Sequence, residues 1–474
     1  MIALSTLLLL VPVVLAVQAR IQLTHFQSGH RSNIAPQFVP PSEGPLVQSS
    51  NYVGSNNGSL PKPKVVSGKS FDRFIQIWIE NTDFESANST TAFSDLAKQG
   101  IFLDQYYAVT HPSEPNYVAA AGGDFWGMAD DSLYHIPSNI STIVDLLEAK
   151  SISWATYEEN LPFDGFEGFN FSSKNYLNTS APDYTYYVRK HNPTIIYDSV
   201  ASVPSRLALH RNFNDFAADV NASALPQWVF VTPNMVNDGH DTSIDFAGQW
   251  VDYWLAPLLN DTNFNNNRTL ILLTFDETET YTANNHIVAM LLGGAVPESA
   301  RGTVDSTYYT HYSTLSTVEA NWGLGSLGRG DTNKTLSNVF SFVANATGYK
   351  NLNISGSDIP LTNITGTIPG PLNPQLYVPF TAPNTSAVGA GGGAVFVASG
   401  LNTSLTAAVV PSPVNLTALG KTVPWLGPRN GSTAATSNST GSGKGGNGAV
   451  SLSDGIVRSA IFGITLAGIA AFLV

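Results

Sequence analysis

The sequence contains no cysteine, which excludes disulfide bonds, thiolate nucleophiles and zinc sites with cysteine ligands. Charged side chains are scarce as well, at 12% of the 474 residues, which is about half the usual share. Acidic residues outnumber basic ones by 35 to 22, so the net charge is −13. Nucleic acids and anionic membranes bind clustered positive charge, and this balance argues against both as partners. The hydrophobic fraction of 43% allows a large packed core.

Both ends of the chain carry apolar runs that are typical of processing signals. Residues 1–19 contain the apolar run Leu7–Ala16 and end in a plausible cleavage site, which predicts a secretory signal peptide without a positive start. The last 15 residues are apolar and too short to span a membrane, and they follow a spacer and a small-residue cluster. We interpret residues 448–474 as a GPI-attachment propeptide with Asn447 as the anchored residue, the alternative being a tail anchor or a plain hydrophobic end. The predicted location is therefore outside the cell, either secreted or held at the membrane or cell wall.

The density of Asn-x-Ser/Thr sequons supports this secretory interpretation. N-glycans would supply solubility that the few charges do not. The predicted glycosylation sites are Asn57, Asn88, Asn139, Asn170, Asn178, Asn221, Asn260, Asn267, Asn333, Asn345, Asn353, Asn363, Asn384, Asn402, Asn415, Asn430 and Asn438.

The middle of the chain alternates short apolar runs with amphipathic segments. Between about residues 70 and 340 this alternation predicts an α/β fold, with a mostly parallel central sheet and helices on both faces. We place the catalytic domain at 68–348, after an irregular leader at 20–67. A domain-edge extension at 349–390 and a Ser/Thr/Asn/Gly-rich glycosylated stalk at 391–447 follow it.

One short stretch, residues 111–117, combines a serine with features that suit a nucleophile. It reads His-Pro-Ser-Glu-Pro-Asn-Tyr and precedes a run of small residues that predicts a helix. Ser113 would lie at the start of that helix, where free N–H groups and the helix dipole attract anions. The alternative is that Ser113 only caps the helix. His111 is a second catalytic candidate, although its position beside Pro112 also fits a structural role.

Polar side chains follow several of the predicted strands. They are Glu80 and Asn81, the pair His240 and Asp241 in a Gly-His-Asp turn, Asp276 and Glu277, and His311 before a late helix. In a parallel sheet the carboxyl ends of the strands meet at one edge, so these groups should lie close together. Carboxylates with an asparagine and a serine suit a divalent metal, while histidines can hold oxyanions or protonate a leaving group. Each group also has an ordinary alternative as a cap or a turn residue.

These motifs, in this order, resemble the phosphoesterase family of fungal secreted acid phosphatases and bacterial phospholipases C. The resemblance covers roughly residues 70–345 and implies a fold similar to the alkaline phosphatase superfamily. It implies Ser113 as the nucleophile. It further implies one divalent metal ion of unknown identity on Glu80, Asn81, Asp276 and Glu277, and a phosphate site formed by Asn81, His240, Asp241 and His311.

The function implied is an acid phosphatase that hydrolyses small phosphate monoesters. A phospholipase C or phosphodiesterase of the same fold is the first alternative, and turnover of diesters would distinguish it. A non-catalytic cell-wall glycoprotein is the second alternative, and it predicts no bound metal and no hydrolysis.

Overall fold

The computed structural model describes residues 54–360 and 368–410. The predicted signal peptide, the propeptide with Asn447, and the sequons at Asn363, Asn415, Asn430 and Asn438 lie outside these ranges. Within these ranges, no helix has the length and apolar character needed to cross a membrane.

A sheet of eight strands forms the centre of the molecule, in the order β11-β2-β10-β9-β1-β8-β4-β7. Seven of these strands share one direction, and only β10 runs antiparallel to its neighbours β9 and β2. The predicted mostly parallel sheet is confirmed. The strands are β1 Arg73–Ile79, β2 Ile101–Leu103, β3 Tyr106–Tyr107, β4 Trp154–Glu158, β5 Asn170–Ser173, β6 Tyr184–Val188, β7 His210–Arg211, β8 Trp228–Thr232, β9 Thr269–Phe275, β10 Ala289–Leu292, β11 Thr303–Asp305 and β12 Tyr309–Thr310.

Ten α-helices within the described ranges surround the sheet and its loops. They are α1 Phe84–Ser89, α2 Thr91–Ala97, α3 Ser113–Gly122, α4 Ile143–Glu148, α5 Asp198–Ala201, α6 Pro204–Leu207, α7 Phe213–Asn221, α8 Ile244–Leu258, α9 Tyr312–Trp322 and α10 Ser341–Thr347. The cap of α4 is Thr142, whose side chain accepts from Val144 N while Asp145 accepts from its backbone N–H. Both halves of a capping box therefore form at this helix start.

Helices cover both faces of the sheet. Successive side chains of a strand point to opposite faces. Trp78 of β1 contacts Tyr117 of α3, with 4.9 Å between ring centroids. Ile79, the residue after Trp78, points to the opposite face and pairs with Phe275 of β9. On that face Phe275 contacts Phe93 of α2, with 5.3 Å between ring centroids. Burial on both faces explains why every residue of β4, β8 and β9 is buried and why β8 and β9 are mostly apolar.

The central strands place acidic residues at one edge. β9, β1, β8 and β4 are adjacent and parallel, so their carboxyl ends coincide. The loops that leave these ends carry the candidate site residues. This edge is where α/β sheets bind ligands.

The segments flanking the predicted catalytic domain belong to the folded body where they are described. The leader contacts the core through Leu60 N–H, which donates to Asp219 at 2.5 Å. Residues 391–396 fall at the start of the predicted stalk, yet Gly393 N–H donates to Leu324 O and Phe396 N–H donates to Ser326 O. The structured part of the chain therefore extends beyond the boundary that composition suggested, because glycine-rich backbone can pack closely against the loop after α9.

Candidate active site

Ser113 is the first residue of α3 and is buried at the carboxyl edge of the sheet. The N-cap residue is Pro112, so Ser113 does not cap the helix. Its Oγ lies 3.2 Å from Glu80 Oε2, 3.3 Å from Asn81 Oδ1 and 3.5 Å from Glu277 Oε1. A hydroxyl has one proton and cannot donate to three acceptors at once. The serine therefore lies among oxygen atoms that need a further positive group.

Four buried carboxylates meet at this edge. Glu80 follows β1, Asp276 and Glu277 follow β9, and Asp238 lies in the loop after β8; none has exposed surface. The pairing of Ile79 with Phe275 brings Glu80 and Asp276 to neighbouring strand ends. Asn81 N–H donates to Asp276 Oδ1 at 3.0 Å, which fixes the turn after β1.

The electrostatics of this cluster strongly favour neutral carboxyls or a bound cation. Burial raises the pKa of Glu80, Asp238 and Glu277 well above the ordinary value, and mutual repulsion adds to it. Burial likewise raises the pKa of Asp276 to about 6. The positive charge of Lys190 lowers the pKa of all four carboxyls and so partly offsets this rise.

Lys190 and His191 are site residues that the sequence analysis missed. They lie on a 3-10 turn, Arg189–His191, which follows β6. Lys190 Nζ contacts Asp131 Oδ2 at 3.0 Å, and His191 Nε2 lies 3.3 Å from Glu80 Oε2 without hydrogen-bond geometry. The segment 162–192 shows no periodicity, but three consecutive basic residues in an acidic chain were a usable signal.

His240 contacts both Lys190 and its neighbour Asp241. His240 Nε2 lies 3.3 Å from Lys190 Nζ, while its Nδ1 lies 2.8 Å from Asp241 Oδ1. The other oxygen of Asp241 accepts from the Tyr184 hydroxyl. Both oxygens of Asp241 are thus engaged away from Ser113. Asp241 therefore orients the His240 ring, and the phosphate contact expected of Asp241 stays a prediction.

His111 and His311 contact Glu277 and Asp276, two of the residues that carry the site carboxylates. His311 Nε2 contacts Asp276 O at 2.7 Å and Nδ1 contacts the Tyr106 hydroxyl at 3.4 Å, so both ring nitrogens have partners. Burial lowers the pKa of His311 to about 3, which keeps the ring neutral. His111 Nδ1 hydrogen-bonds Glu277, and burial lowers its pKa to about 4. His111 thus holds a site carboxylate, while His311 holds the backbone carbonyl of Asp276. The phosphate role expected of His311 stays a prediction.

The sequence model of the phosphoesterase family matches residues 64–325. The chain belongs to the phosphoesterase family. The family resemblance is thus confirmed, and so is the enzyme class, a hydrolase of phosphoric esters.

Curated relatives in fungi are similar over about two thirds of the chain. An acid phosphatase of Aspergillus fumigatus is 49% identical over 67% of this chain and 68% of its own length. A probable acid phosphatase of Kluyveromyces lactis is 48% identical over 69% of this chain and 74% of its own length. A bacterial relative, a phosphatidylinositol-3-phosphatase of Mycobacterium tuberculosis, is 30% identical over 51% of this chain and 72% of its own length.

Solved structures share little sequence with this chain. A protein in the alkaline phosphatase superfamily from Vibrio parahaemolyticus is 10% identical, covers 63% of this chain and 74% of its own, and has a TM-score of 0.34. A putative sulfatase from Bacteroides thetaiotaomicron is 11% identical over 59% and 75%, with a TM-score of 0.38. The architecture is therefore assigned from the strand order described above.

Proposed function

We propose that this phosphoesterase is an acid phosphatase that hydrolyses phosphate monoesters through Ser113, with the help of one divalent metal ion. The observation that carries the proposal is the position of Ser113 Oγ, within 3.5 Å of Glu80, Asn81 and Glu277 at the start of α3. The names of the fungal relatives support the substrate class. A helix start beside a cation is a suitable place for a phosphoryl group.

The residues around Ser113 fit a metal ion. Their donors are oxygen atoms, which suit hard divalent cations. Asn81 Oδ1 faces carboxylate oxygens of Glu80 and Asp276, and oxygen atoms in this arrangement repel one another. Two changes would relieve the repulsion. The amide can turn so that its nitrogen donates to these oxygens at 3.1 Å, or a cation can lie between them. We assign the metal to Glu80, Asn81, Asp276 and Glu277. A cation there would lower the pKa of the Ser113 hydroxyl and polarise a phosphoryl oxygen.

A second group of donors is better suited to the phosphate. Glu80, His191 and His240 bring one donor atom each within 4.8 Å of one another. However, the Lys190 ammonium lies 3.3 Å from His240 Nε2 and supplies positive charge at that point. Two histidines and a lysine form a site for oxyanions rather than for a second metal.

The chemistry follows from these positions. Ser113 releases its hydroxyl proton to water, its Oγ attacks phosphorus and the ester P–O bond breaks, which leaves a phosphoserine. Lys190 and His191 bind the phosphoryl oxygens as negative charge is redistributed. The side chain of His240 is 25% exposed and its ring is oriented by Asp241, so it can pass a proton to the departing alcohol. Water then attacks the phosphoserine, phosphate leaves, and the serine is restored.

The test is hydrolysis of p-nitrophenyl phosphate from pH 3 to 9 by the wild type and Ser113→Ala, with and without a chelator. We expect a maximum on the acid side, loss of at least about 10³-fold in the variant, and loss on chelation that added metal restores. Acid quenching should trap phosphate on the wild-type protein only. Undiminished turnover by Ser113→Ala would refute the mechanism, and faster turnover of the bis-p-nitrophenyl diester would favour the phosphodiesterase.

We also propose that the protein is exported, N-glycosylated and GPI-anchored through Asn447. The sequon asparagines within the described ranges support glycosylation, since all thirteen are at least partly exposed. Release of the protein from intact cells by a phosphatidylinositol-specific phospholipase would test the anchor. A mass shift on deglycosylation would test the glycans. Protein that stays cell-bound after the lipase, or that shows no mass shift, would contradict the respective proposal.

A further inference from the structure

Tyr281 is a large aromatic side chain that remains 45% exposed beside the active site. Its ring stacks on the ring of His111, with 4.1 Å between centroids and 21° between planes. His111 is fully buried and hydrogen-bonds Glu277 on its far side. Tyr281, His111 and Glu277 thus form a series of contacts that joins an exposed ring to a buried carboxylate of the site.

The loop that carries Tyr281 is held in place from both sides. Thr280 donates to Asp83 through its backbone N–H at 2.9 Å and its hydroxyl at 2.6 Å. After the ring, Asn285 Nδ2 donates to Thr110 O at 2.7 Å and its Oδ1 accepts from Thr278 N–H at 3.0 Å. A fixed loop presents the ring at a defined place, which lowers the entropy cost of using it to bind a ligand.

Tyr281 also faces the acidic groups that surround Ser113. Burial raises the pKa of its hydroxyl, and the charges of Glu277, Asp131 and Asp276 raise it further. Asp131 in turn holds Lys190 Nζ and accepts from Glu114 N–H, the residue after the nucleophile. The tyrosine and the lysine therefore lie near the same acidic residue, Asp131. We expect the alcohol part of a phosphate ester bound at Ser113 to extend toward this exposed ring.

We propose that Tyr281 is a specificity-determining residue that stacks on the alcohol part of the substrate and selects monoesters of planar, aromatic alcohols. The inference rests on the proposed phosphatase function. One face of the ring is covered by His111, and the exposed surface is available to a second ring. Stacked aromatic pairs gain about 0.5–1.5 kcal/mol beyond simple burial, which corresponds to about a 2- to 12-fold preference.

The experiment compares benzyl phosphate with cyclohexylmethyl phosphate, whose alcohols are of similar size and are similarly poor leaving groups. We expect wild-type enzyme to favour the benzyl ester by about 3- to 10-fold in kcat/KM, mainly through KM. Tyr281→Phe should keep the preference, and Tyr281→Leu, which keeps apolar bulk, should lose it. Tyr377→Ala serves as the matched control, since Tyr377 is 63% exposed and pairs with Gly370 in the C-terminal extension. An unchanged ratio in Tyr281→Leu, or an equal loss in Tyr377→Ala, would overturn the proposal.

Binding of benzylphosphonate and cyclohexylmethylphosphonate, measured by calorimetry, separates this inference from the function on which it rests. Neither compound can be hydrolysed. Tighter binding of the benzyl compound that disappears in Tyr281→Leu supports stacking even if no ester is turned over, an outcome that would refute only the phosphatase function. Hydrolysis of both esters with equal binding of the two phosphonates would refute stacking and leave the phosphatase function standing.

Discussion

Replacement of Lys190 by methionine tests how the site handles phosphate charge. The side chain of Lys190 is only 14% exposed, and its ammonium contacts Asp131 at 3.0 Å and His240 at 3.3 Å. Methionine keeps the apolar length and removes the charge. If Lys190 binds a phosphoryl oxygen, the variant should bind and react with phosphate esters poorly while keeping its fold.

The magnitude follows from the position of the ammonium. A unit charge about 3 Å from a phosphoryl oxygen interacts by roughly 5–6 kcal/mol at an effective dielectric constant of about 20. Part of this is offset by the water that both groups lose on binding. Single preorganised donors are worth about 2.7–4 kcal/mol in the transition state, so kcat/KM should fall about 10²- to 10³-fold.

The assay is kcat/KM for phenyl phosphate, read together with metal content. Lys190 repels a cation on the neighbouring carboxylates, so its loss should leave metal content equal or higher. Lys190→Arg should recover part of the activity because the charge is kept. The matched control is Lys98→Met, which breaks an exposed pair with Asp95 and should change neither quantity. A fall of less than about threefold in Lys190→Met, or one that tracks metal loss, would refute the reasoning.

Three further predictions follow from buried groups and from the metal. Burial, and then Asp331, raise the pKa of Glu319 well above 4.5, so its neutral form favours the fold. That stability is present below about pH 4.5 and is lost as pH rises through the folded pKa. Glu319→Gln should therefore raise Tm at pH 7, by about 2–4 °C for each kcal/mol of unfolding free energy recovered, and should change Tm little at pH 4. Equal Tm shifts at the two pH values would contradict this prediction. Asp241→Asn should cost about 10-fold in kcat with a shifted pH profile, because the His240 ring loses its ionic partner; an unaltered profile would speak against the positioning role. When the metal is present at 100 times its Kd, binding stabilises the folded protein by about 3 kcal/mol, so chelation should lower Tm. The Tm shift on chelation should be smaller in Glu277→Gln than in the wild type. Equal shifts in the two proteins would exclude Glu277 as a metal ligand.

Local patterns were sufficient for the elements that build the sheet. The mostly apolar stretches at 71–79 and 269–275 contain β1 and β9. A buried parallel strand needs apolar side chains on both faces, so its signature is contained in a few consecutive residues. The polar residues that end such runs then fall at one edge by geometry alone, which is why Glu80, Asp276 and Glu277 were identified.

Positions that depend on contacts between distant segments were not predictable in this way. Residues 287–292 are an apolar run like those of the other central strands, but the antiparallel direction of β10 comes from its pairing with β9 and β2. His311 lies beside the expected site in sequence order, yet stacking on Trp78 turns its ring toward Asp276 O. Nothing within a single segment specifies such a rotation.

The sequence by itself determined the fold class, the acidic edge and the position of Ser113 at a helix start, because these follow from short-range periodicity and from the geometry of a parallel sheet. Only the tertiary structure decided how charge is balanced there. It brought Lys190 and His191 from an aperiodic insertion to the carboxylates, and it paired Asp241 with His240 and His311 with the backbone carbonyl of Asp276. Burial sets the pKa values and completes the site, and burial is a property of the whole packed chain.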